Sequence, residues 1–310
     1  MSDNKRQEGI TYGNAWMHKT LISLLKVVDR RVFYVFMYVF VIPVTLVLSN
    51  GSRLTFRYFR RRRGYGMLKS LWSTYRNHCI FGETVIDKFA MYAGHRFKVI
   101  FDDEARYRAM TEGPDAFLQL SAHIGCSEIL GYSYHVSKPC NVLVFGGEKQ
   151  SLMGYRSSSF GEMNVNMIPV GVEATHSEEI VGAFDRGEIV IAFADRLMNP
   201  KKVITSRIHG YGVSLAKGPF SMAVTRGIDV VMVNAMKEKN GSYRAFFTPL
   251  TYDKQLPASQ QRQQLADAYT AEIERLMEMY PLQWFNYFDL WTDSLQKSCF
   301  FSKQAFLKTE

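Results

Sequence analysis

Residues 116–130 read AFLQLSAHIGCSEIL, and this stretch decides the fold class. Its first seven residues form an apolar run of the length of a buried strand. A turn of small residues follows, and Glu128, Ile129 and Leu130 open a helix. Strand, turn and helix packed this closely are the repeating unit of an α/β sheet. The same alternation recurs outward in both directions. Residues 97–101, 141–145 (NVLVF), 165–170, 189–193 (IVIAF), 229–235 and 243–248 read as strands. Residues 178–186 read as a helix ending at Gly187, and residues 257–279 as a closing helix. Upstream, Leu71, Tyr75, Cys79 and Phe89 recur at three- and four-residue steps within a helical stretch, 68–93. The expected architecture is a mixed central sheet flanked by helices.

The N-terminal part has a different character. Residues 32–49 (VFYVFMYVFVIPVTLVLS) run for 18 residues without a charge. As a helix they would reach roughly 27 Å, close to the ~30 Å hydrocarbon thickness of a bilayer. Pro43 should kink this helix. Arg30 and Arg31 precede the run; Arg53, Arg57 and Arg60 to Arg63 follow it, interleaved with Phe56, Tyr58 and Phe59. Basic charge beside aromatic rings suits a surface of anionic headgroups. A helix that spans the membrane and one that lies in a single leaflet both fit, and a buried core hairpin is the soluble alternative. The chain is expected to divide into an N-terminal membrane-anchoring segment, 1–66, and a catalytic domain, 67–310.

Composition narrows the class. Of 310 residues, 47% are hydrophobic and 22% charged, which excludes both a disordered chain and a polytopic membrane protein. The net charge of +9 is unevenly spread: residues 1–80 carry 14 Lys and Arg against 3 Asp and Glu, whereas residues 81–310 carry 24 against 26. A nucleic-acid-binding domain spreads basic charge over its fold, so a near-neutral body with one basic end points to a membrane and not to nucleic acid. Cys79, Cys126, Cys140 and Cys299 are scattered, without the spacing of a zinc site or a disulfide framework.

The chain contains no G-x-S-x-G, H-E-x-x-H, P-loop or G-x-G-x-x-G motif. What remains is histidine paired with an acid. His123 precedes Glu128 by five positions, and His78 precedes Glu83 by the same step; about one such pair is expected by chance. His78 lies within a helical stretch, where that step separates the side chains. His123 ends a strand and Glu128 begins a helix, so both face the carboxyl edge of the sheet, where α/β proteins keep their sites. A neutral imidazole can take the proton from an attacking hydroxyl, and a carboxylate on its other nitrogen fixes the tautomer. Glu128 is the expected orienting acid. Gly125 and Cys126 have N–H groups that would serve a tetrahedral oxyanion. A His–Glu pair that simply locks a turn explains the spacing as well. Cys126 reads as a small buried cysteine and not as a nucleophile.

Several stretches in order complete the reading: the basic-flanked apolar segment, Tyr75 to Gly82 (YRNHCIFG), Ser121 to Glu128 (SAHIGCSE), Gly187 to Arg196 (GEIVIAFADR) and Pro281 to Phe285 (PLQWF). Over roughly residues 10–295 this order resembles the bacterial late acyltransferases of lipid A biosynthesis, within the wider lysophospholipid-acyltransferase-like group. The resemblance implies a glycerolipid-acyltransferase-like fold at the cytoplasmic face of a bacterial inner membrane. It implies transfer of a fatty acyl chain from acyl carrier protein, or from acyl-CoA, to a hydroxyl or amine of a lipid, without an acyl-enzyme, cofactor or metal. His123 and Glu128 match the family's H-x4-D/E dyad. The same resemblance places Asp195 and Arg156 as substrate-binding positions, and Asp195 has a structural capping role as its alternative; Arg196, which departs from the lipid A enzymes, is counted with them, as are Gly125 and Cys126 for their N–H groups. Met153, Met163, Met167, Phe220 and Met222 would line an acyl groove; Lys201, Lys202, Arg207 and Lys217 would meet phosphates or the acidic carrier. Trp284, Phe285, Tyr287, Phe288 and Trp291 are read as packing of the last helix or as an interfacial belt. A different acceptor (an aminolipid, a lysophospholipid or a polyene-type glycolipid) and a lipid-binding protein without turnover stay open.

Overall fold

Every residue of Phe117–Ser121 is buried, because this strand forms the middle of a seven-stranded sheet. The protein is described here from a computed structural model, which places residues 15–134, 136–145, 164–170, 176–197, 199 and 201–292. The N-terminal part runs α1 (Ala15–Leu25), α2 (Arg30–Phe36), α3 (Ile42–Leu48), α4 (Asn50–Arg57) and α5 (Met67–Tyr92). There follow β1 (Val99–Asp102), α6 (Glu104–Glu112), β2 (Phe117–Ser121), α7 (Glu128–Ser133), β3 (Cys140–Phe145), β4 (Val165–Val170), α8 (His176–Asp185) and β5 (Ile189–Phe193). The chain continues through β6 (Val203–Ile208), β7 (Tyr211–Ala216), α9 (Lys217–Arg226), β8 (Asp229–Lys237), β9 (Tyr243–Leu250) and α10 (Ala258–Met279).

The sheet order is β1-β9-β8-β2-β5-β3-β4. Strands β8, β2, β5, β3 and β4 are mutually parallel, while β9 is antiparallel to β8 and β1 follows β9. The expected mixed sheet flanked by helices is therefore the architecture found. Successive residues of β2 feed opposite faces, as a two-residue period requires. Leu118 and Leu120 join Phe184 of α8, Phe220 of α9 and Leu265 of α10 in one core. Phe117 joins Tyr107 of α6, Ile129 of α7 and Met91 of α5 in the other. Burial on both faces explains why the parallel strands read as unbroken apolar runs. The sequence pattern does not announce helices α1 and α4, helix α6, hairpin β6–β7 or helix α9. Helix α6 is polar along most of its length. Hairpin β6–β7 lies outside the main sheet, turning on His209 and Gly210, whose positive φ angles (50° and 77°) match its twist. Helix α9 follows it directly.

Residues 30–48 are helical throughout and apolar enough, by length and composition, to cross a membrane. Pro43 is the second residue of α3, within this helix. A π-helical turn, Met37–Val41, precedes it, and the Ile42 N–H reaches back to the Met37 carbonyl, which widens the turn where proline lacks a donor. One face of this helix packs along α5: Met37 sits so close to Gly82 that a Cβ there would lie 2.0 Å from the Met37 sulfur. The other face, including Val32, Phe36, Phe40, Val47 and Leu48, is exposed. The described part of segment 1–66, expected to anchor the chain to a membrane, also packs against the body. Phe59 is fully buried in the main core, and Arg63 pairs with Glu278 of α10.

Leu120 is fully buried between β2's neighbours and the helices of the first core. Leu120→Ala is expected to lower unfolding stability by about 2–5 kcal/mol, read as a drop in denaturant midpoint at unchanged slope; no drop would contradict its place at the sheet centre.

Candidate active site

The site is built by strand register. β2 and β5 pair in parallel with Leu120 opposite Ala192 and Ser121 opposite Phe193. Two positions further along each chain stand His123 and Asp195. In parallel pairing they emerge on the same side of the sheet's carboxyl edge, and the side chains meet: Asp195 Oδ1 lies 2.8 Å from His123 Nδ1. The other carboxylate oxygen, Oδ2, accepts the His123 backbone N–H at 2.7 Å. Phe193 packs on the imidazole, with ring centroids 4.9 Å apart. The Asp195 side chain is 2% exposed, that of His123 24%.

Burial alone would raise the Asp195 carboxyl. The charge of the His123 imidazole, the hydrogen bonds from its ring and backbone, and Arg196 outweigh that and hold the carboxyl below its ordinary value. Asp195 is therefore an anion at neutral pH, and it places the proton of a neutral His123 on Nδ1. Nε2, on the other side of the ring from this contact, has no hydrogen-bond partner among the described residues, and the side chain is partly exposed. An aligned histidine with a buried carboxylate behind it and an open nitrogen in front is equipped to accept a proton.

This arrangement corrects the expected dyad. Glu128 is not the acid on His123 Nδ1; that nitrogen belongs to Asp195. Glu128 stands at the first position of α7 and pairs with Lys88 of α5, with both carboxylate oxygens 3.4 Å from the ammonium. Spacing in sequence suggested the near acid, whereas strand pairing delivers the distant one. Asp195 accordingly changes from an expected substrate-binding residue to one that orients His123. At the second pair, His78 is buried within α5 beside the Thr74 carbonyl, and Glu83 pairs instead with Lys237.

The expected oxyanion donors are also corrected. The Gly125 N–H bonds the Gln283 carbonyl at 2.9 Å, and the Cys126 N–H bonds the Ala235 carbonyl at 2.7 Å. Both donors are consumed in fixing the loop. Gly125 has φ +61°, and a Cβ there would lie 2.1 Å from the Ala235 carbonyl oxygen, so this turn admits only glycine. Burial pushes the Cys126 thiol up to about 12, which keeps it protonated and unsuited to nucleophilic attack.

The C-terminal aromatic stretch has a role the sequence did not disclose. Trp284 bridges Ile124, the Phe285 N–H bonds the His123 carbonyl at 2.8 Å, and so the chain lies as a strap along the loop. Asn77 of α5 secures the strap by donating to the Leu282 and Trp284 carbonyls, each at 2.9 Å. Trp284, Phe285 and Trp291 are buried, while Tyr287 stacks near His78. Arg196 is exposed and lies over the Phe288 ring at 4.7 Å. The expected acyl groove is not assembled from the residues proposed for it. Phe220 and Met222 belong to the first core and Met167 to the second, on opposite faces of the sheet. Arg156, Met153 and Met163 lie outside the described residues. Lys201, Lys202, Arg207 and Lys217 are all exposed. Among the described residues no three His, Cys, Asp or Glu side chains converge to hold a metal ion.

No family model matches the chain, and no curated protein matches it in sequence. Among solved structures it is similar to the 1-acyl-sn-glycerophosphate (LPA) acyltransferase PlsC from Thermotoga maritima, at 14% identity. The match covers 86% of this chain and 99% of that one, with a TM-score of 0.38.

The geometry predicts distinct behaviour for the two acids. Nitrogen NMR of the His123 ring should show the proton on Nδ1. Asp195→Asn should disturb that tautomer and Glu128→Gln should leave it in place; the reverse pattern would restore the sequence-near dyad. Cys126, protonated at neutral pH, is expected to resist alkylation by iodoacetamide at pH 8 in the folded protein, and rapid labelling there would contradict its environment.

Proposed function

We propose that the protein is a membrane-associated acyltransferase that moves a fatty acyl chain from a thioester donor to a hydroxyl of a lipid. The observation that carries this is the His123–Asp195 pair at the carboxyl edge of the sheet, where Nε2 has no partner among the described residues. The acceptor hydroxyl is too weak an acid to ionise unaided near neutrality. As its oxygen attacks the thioester carbonyl, Nε2 takes the hydroxyl proton, and Asp195 stabilises the imidazolium that forms. The tetrahedral intermediate then collapses: the carbon–sulfur bond breaks, and the departing thiolate recovers the proton from His123. Acyl group, proton and thiol all balance, so neither an acyl-enzyme nor a protein nucleophile is needed. Cys126, held as a thiol, fits that account.

The donor in this reading is acyl carrier protein or acyl-CoA, and the acceptor is a lipid A precursor or a related bacterial lipid, as the motif order implies. The setting is the cytoplasmic face of the inner membrane. Support for a membrane comes from the exposed stripe of helix 30–48, on which Val47 and Leu48 are 73% and 77% exposed. Its opposite face is held to α5 by Met37 and by hydroxyl contacts from Tyr34 to Asp87 and Tyr38 to Glu83. A helix bound lengthwise to a polar neighbour lies in one leaflet more readily than it crosses two. Basic residues at its ends, among them Arg31, Arg53 and Arg57, suit anionic headgroups.

Lipid mass spectrometry of cells lacking the gene, complemented by wild type or by His123→Ala, tests the reading. One lipid class should lose a single acyl chain and regain it only with wild type. In purified protein His123→Ala should reduce acyl transfer by about 10²–10⁴-fold. Full complementation by the variant would leave a lipid-binding protein without turnover.

A further inference from the structure

Strand β8 runs on past the point where its pairing with β2 stops. The last paired residues are Leu120 and Met232, yet β8 continues to Lys237, still paired with β9 on its other side. Residues 233–237 are all buried, so their backbone groups on the vacated side must find partners. The Val233 carbonyl accepts the Ser121 hydroxyl at 2.7 Å, and the Ala235 carbonyl accepts the Cys126 N–H at 2.7 Å. At Lys237 one side chain takes both groups. Gln283 Oε1 accepts the Lys237 N–H at 2.8 Å, and Gln283 Nε2 donates to the Lys237 carbonyl at 2.6 Å. A primary amide carries a donor and an acceptor side by side, as a neighbouring strand would offer them. A carboxylate lacks the donor, and an alkyl chain lacks both.

The backbone of the same residue reaches the site. The Gln283 carbonyl accepts the Gly125 N–H at 2.9 Å, and two residues on, the Phe285 N–H donates to the His123 carbonyl at 2.8 Å. These bonds flank the antiparallel bridge of Ile124 with Trp284, so residues 283–285 lie as one more short strand against residues 123–125. Gln283 is thus gripped by β8 through its side chain and grips the His123 loop through its backbone. Its anchor is itself fixed, because the Lys237 ammonium meets Asp87 and Glu83 of α5. Asn77 ties the strap to α5, whereas Gln283 ties it to the sheet that carries His123.

We infer that Gln283 is a positioning residue whose amide fixes the strap to β8 and thereby sets the placement of the His123 backbone. This rests on the reading of His123 as the general base. The amide is buried on Lys237 and acts through the strap. Without it the strap can slide along the loop, the bond from Phe285 to His123 lengthens, and the imidazole shifts from the acceptor hydroxyl. A displacement of about 1 Å that begins far from the chemistry can cost on the order of 10²-fold in rate.

The test is Gln283→Met in the full chain, which keeps the length of the side chain and removes donor and acceptor together. Gln261→Met is the control. Gln261 is also buried, and its Nε2 donates to the Lys254 and Leu256 carbonyls at 3.1 and 2.6 Å. That loop follows Leu250, which pairs with Val230 near the start of β8, at the edge of the sheet opposite to His123. With acyl-thioester donor and lipid acceptor, Gln283→Met should lower kcat about tenfold and leave KM unchanged. The ring-nitrogen NMR signals of His123 should move. Gln261→Met should change none of these. Where Gln283→Met does not fold, Gln283→Asn, one methylene shorter with the amide kept, carries the same expectations. Wild-type kcat in the variant would overturn the inference, as would a loss matched by Gln261→Met or one that falls on KM alone. If wild type transfers no acyl group, moved His123 signals in Gln283→Met uphold the positioning while the proposed reaction falls. Unmoved signals in an active enzyme overturn the positioning and leave the reaction standing.

Discussion

The parallel register of β2 on β5 is the constraint on which the site depends. It places His123 beside Asp195, 72 residues later in the chain, and it does so through backbone pairing and not through any local sequence preference. A slip of one residue would turn every side chain of the strand to the other face of the sheet. His123 would then point toward the first core, and Leu118 and Leu120 would exchange places with Phe117 and Gln119. Because both faces of the sheet are covered, the apolar packing that stabilises the strand also holds the register that makes the pair.

The loop after β2 shows the same economy of donors. Gly125 and Cys126 give their N–H groups to Gln283 and Ala235, and the His123 carbonyl accepts from Phe285. The Gln283 side chain in turn bonds both the N–H and the carbonyl of Lys237, at 2.8 and 2.6 Å. Buried backbone groups must find partners, and here the partners come from the end of β8 and from the C-terminal strap. The histidine is thus held on both sides: by Asp195 through its ring, and by the strap through its backbone.

A buried ionic cluster links this region to the N-terminal helices. Lys237, at the end of β8, meets Glu83 and Asp87 of α5, and Tyr243 and Tyr34 donate their hydroxyls to Asp87. Asp87 is fully buried. Charges so placed are costly unless paired and fully hydrogen-bonded, and Asp87 has Arg30 and Tyr34 of α2, Lys237 of β8 and Tyr243 of β9 as partners. The basic run after the apolar helix is likewise drawn into the fold. Arg62 lies over Tyr211 and Trp291, at 4.2 and 4.6 Å, and Arg63 pairs with Glu278. Side chains that read as a charged anchor are in part structural ties.

The sequence by itself determined the secondary elements of the sheet, since short apolar runs bounded by turns leave a chain no better way to bury both faces of a strand. It also determined the apolar helix at 30–48, and it marked His123 as the histidine that ends a strand. Those features depend on residues close together in the chain. The tertiary structure alone decided which acid serves His123, why Gly125 and Cys126 have no donors to spare, and what the aromatic tail is for. Each of these turns on contacts between residues far apart in the chain, and such distances are set by strand order and register, which no local pattern encodes. Glu128 was the nearer acid along the chain; Asp195 is the nearer acid in space.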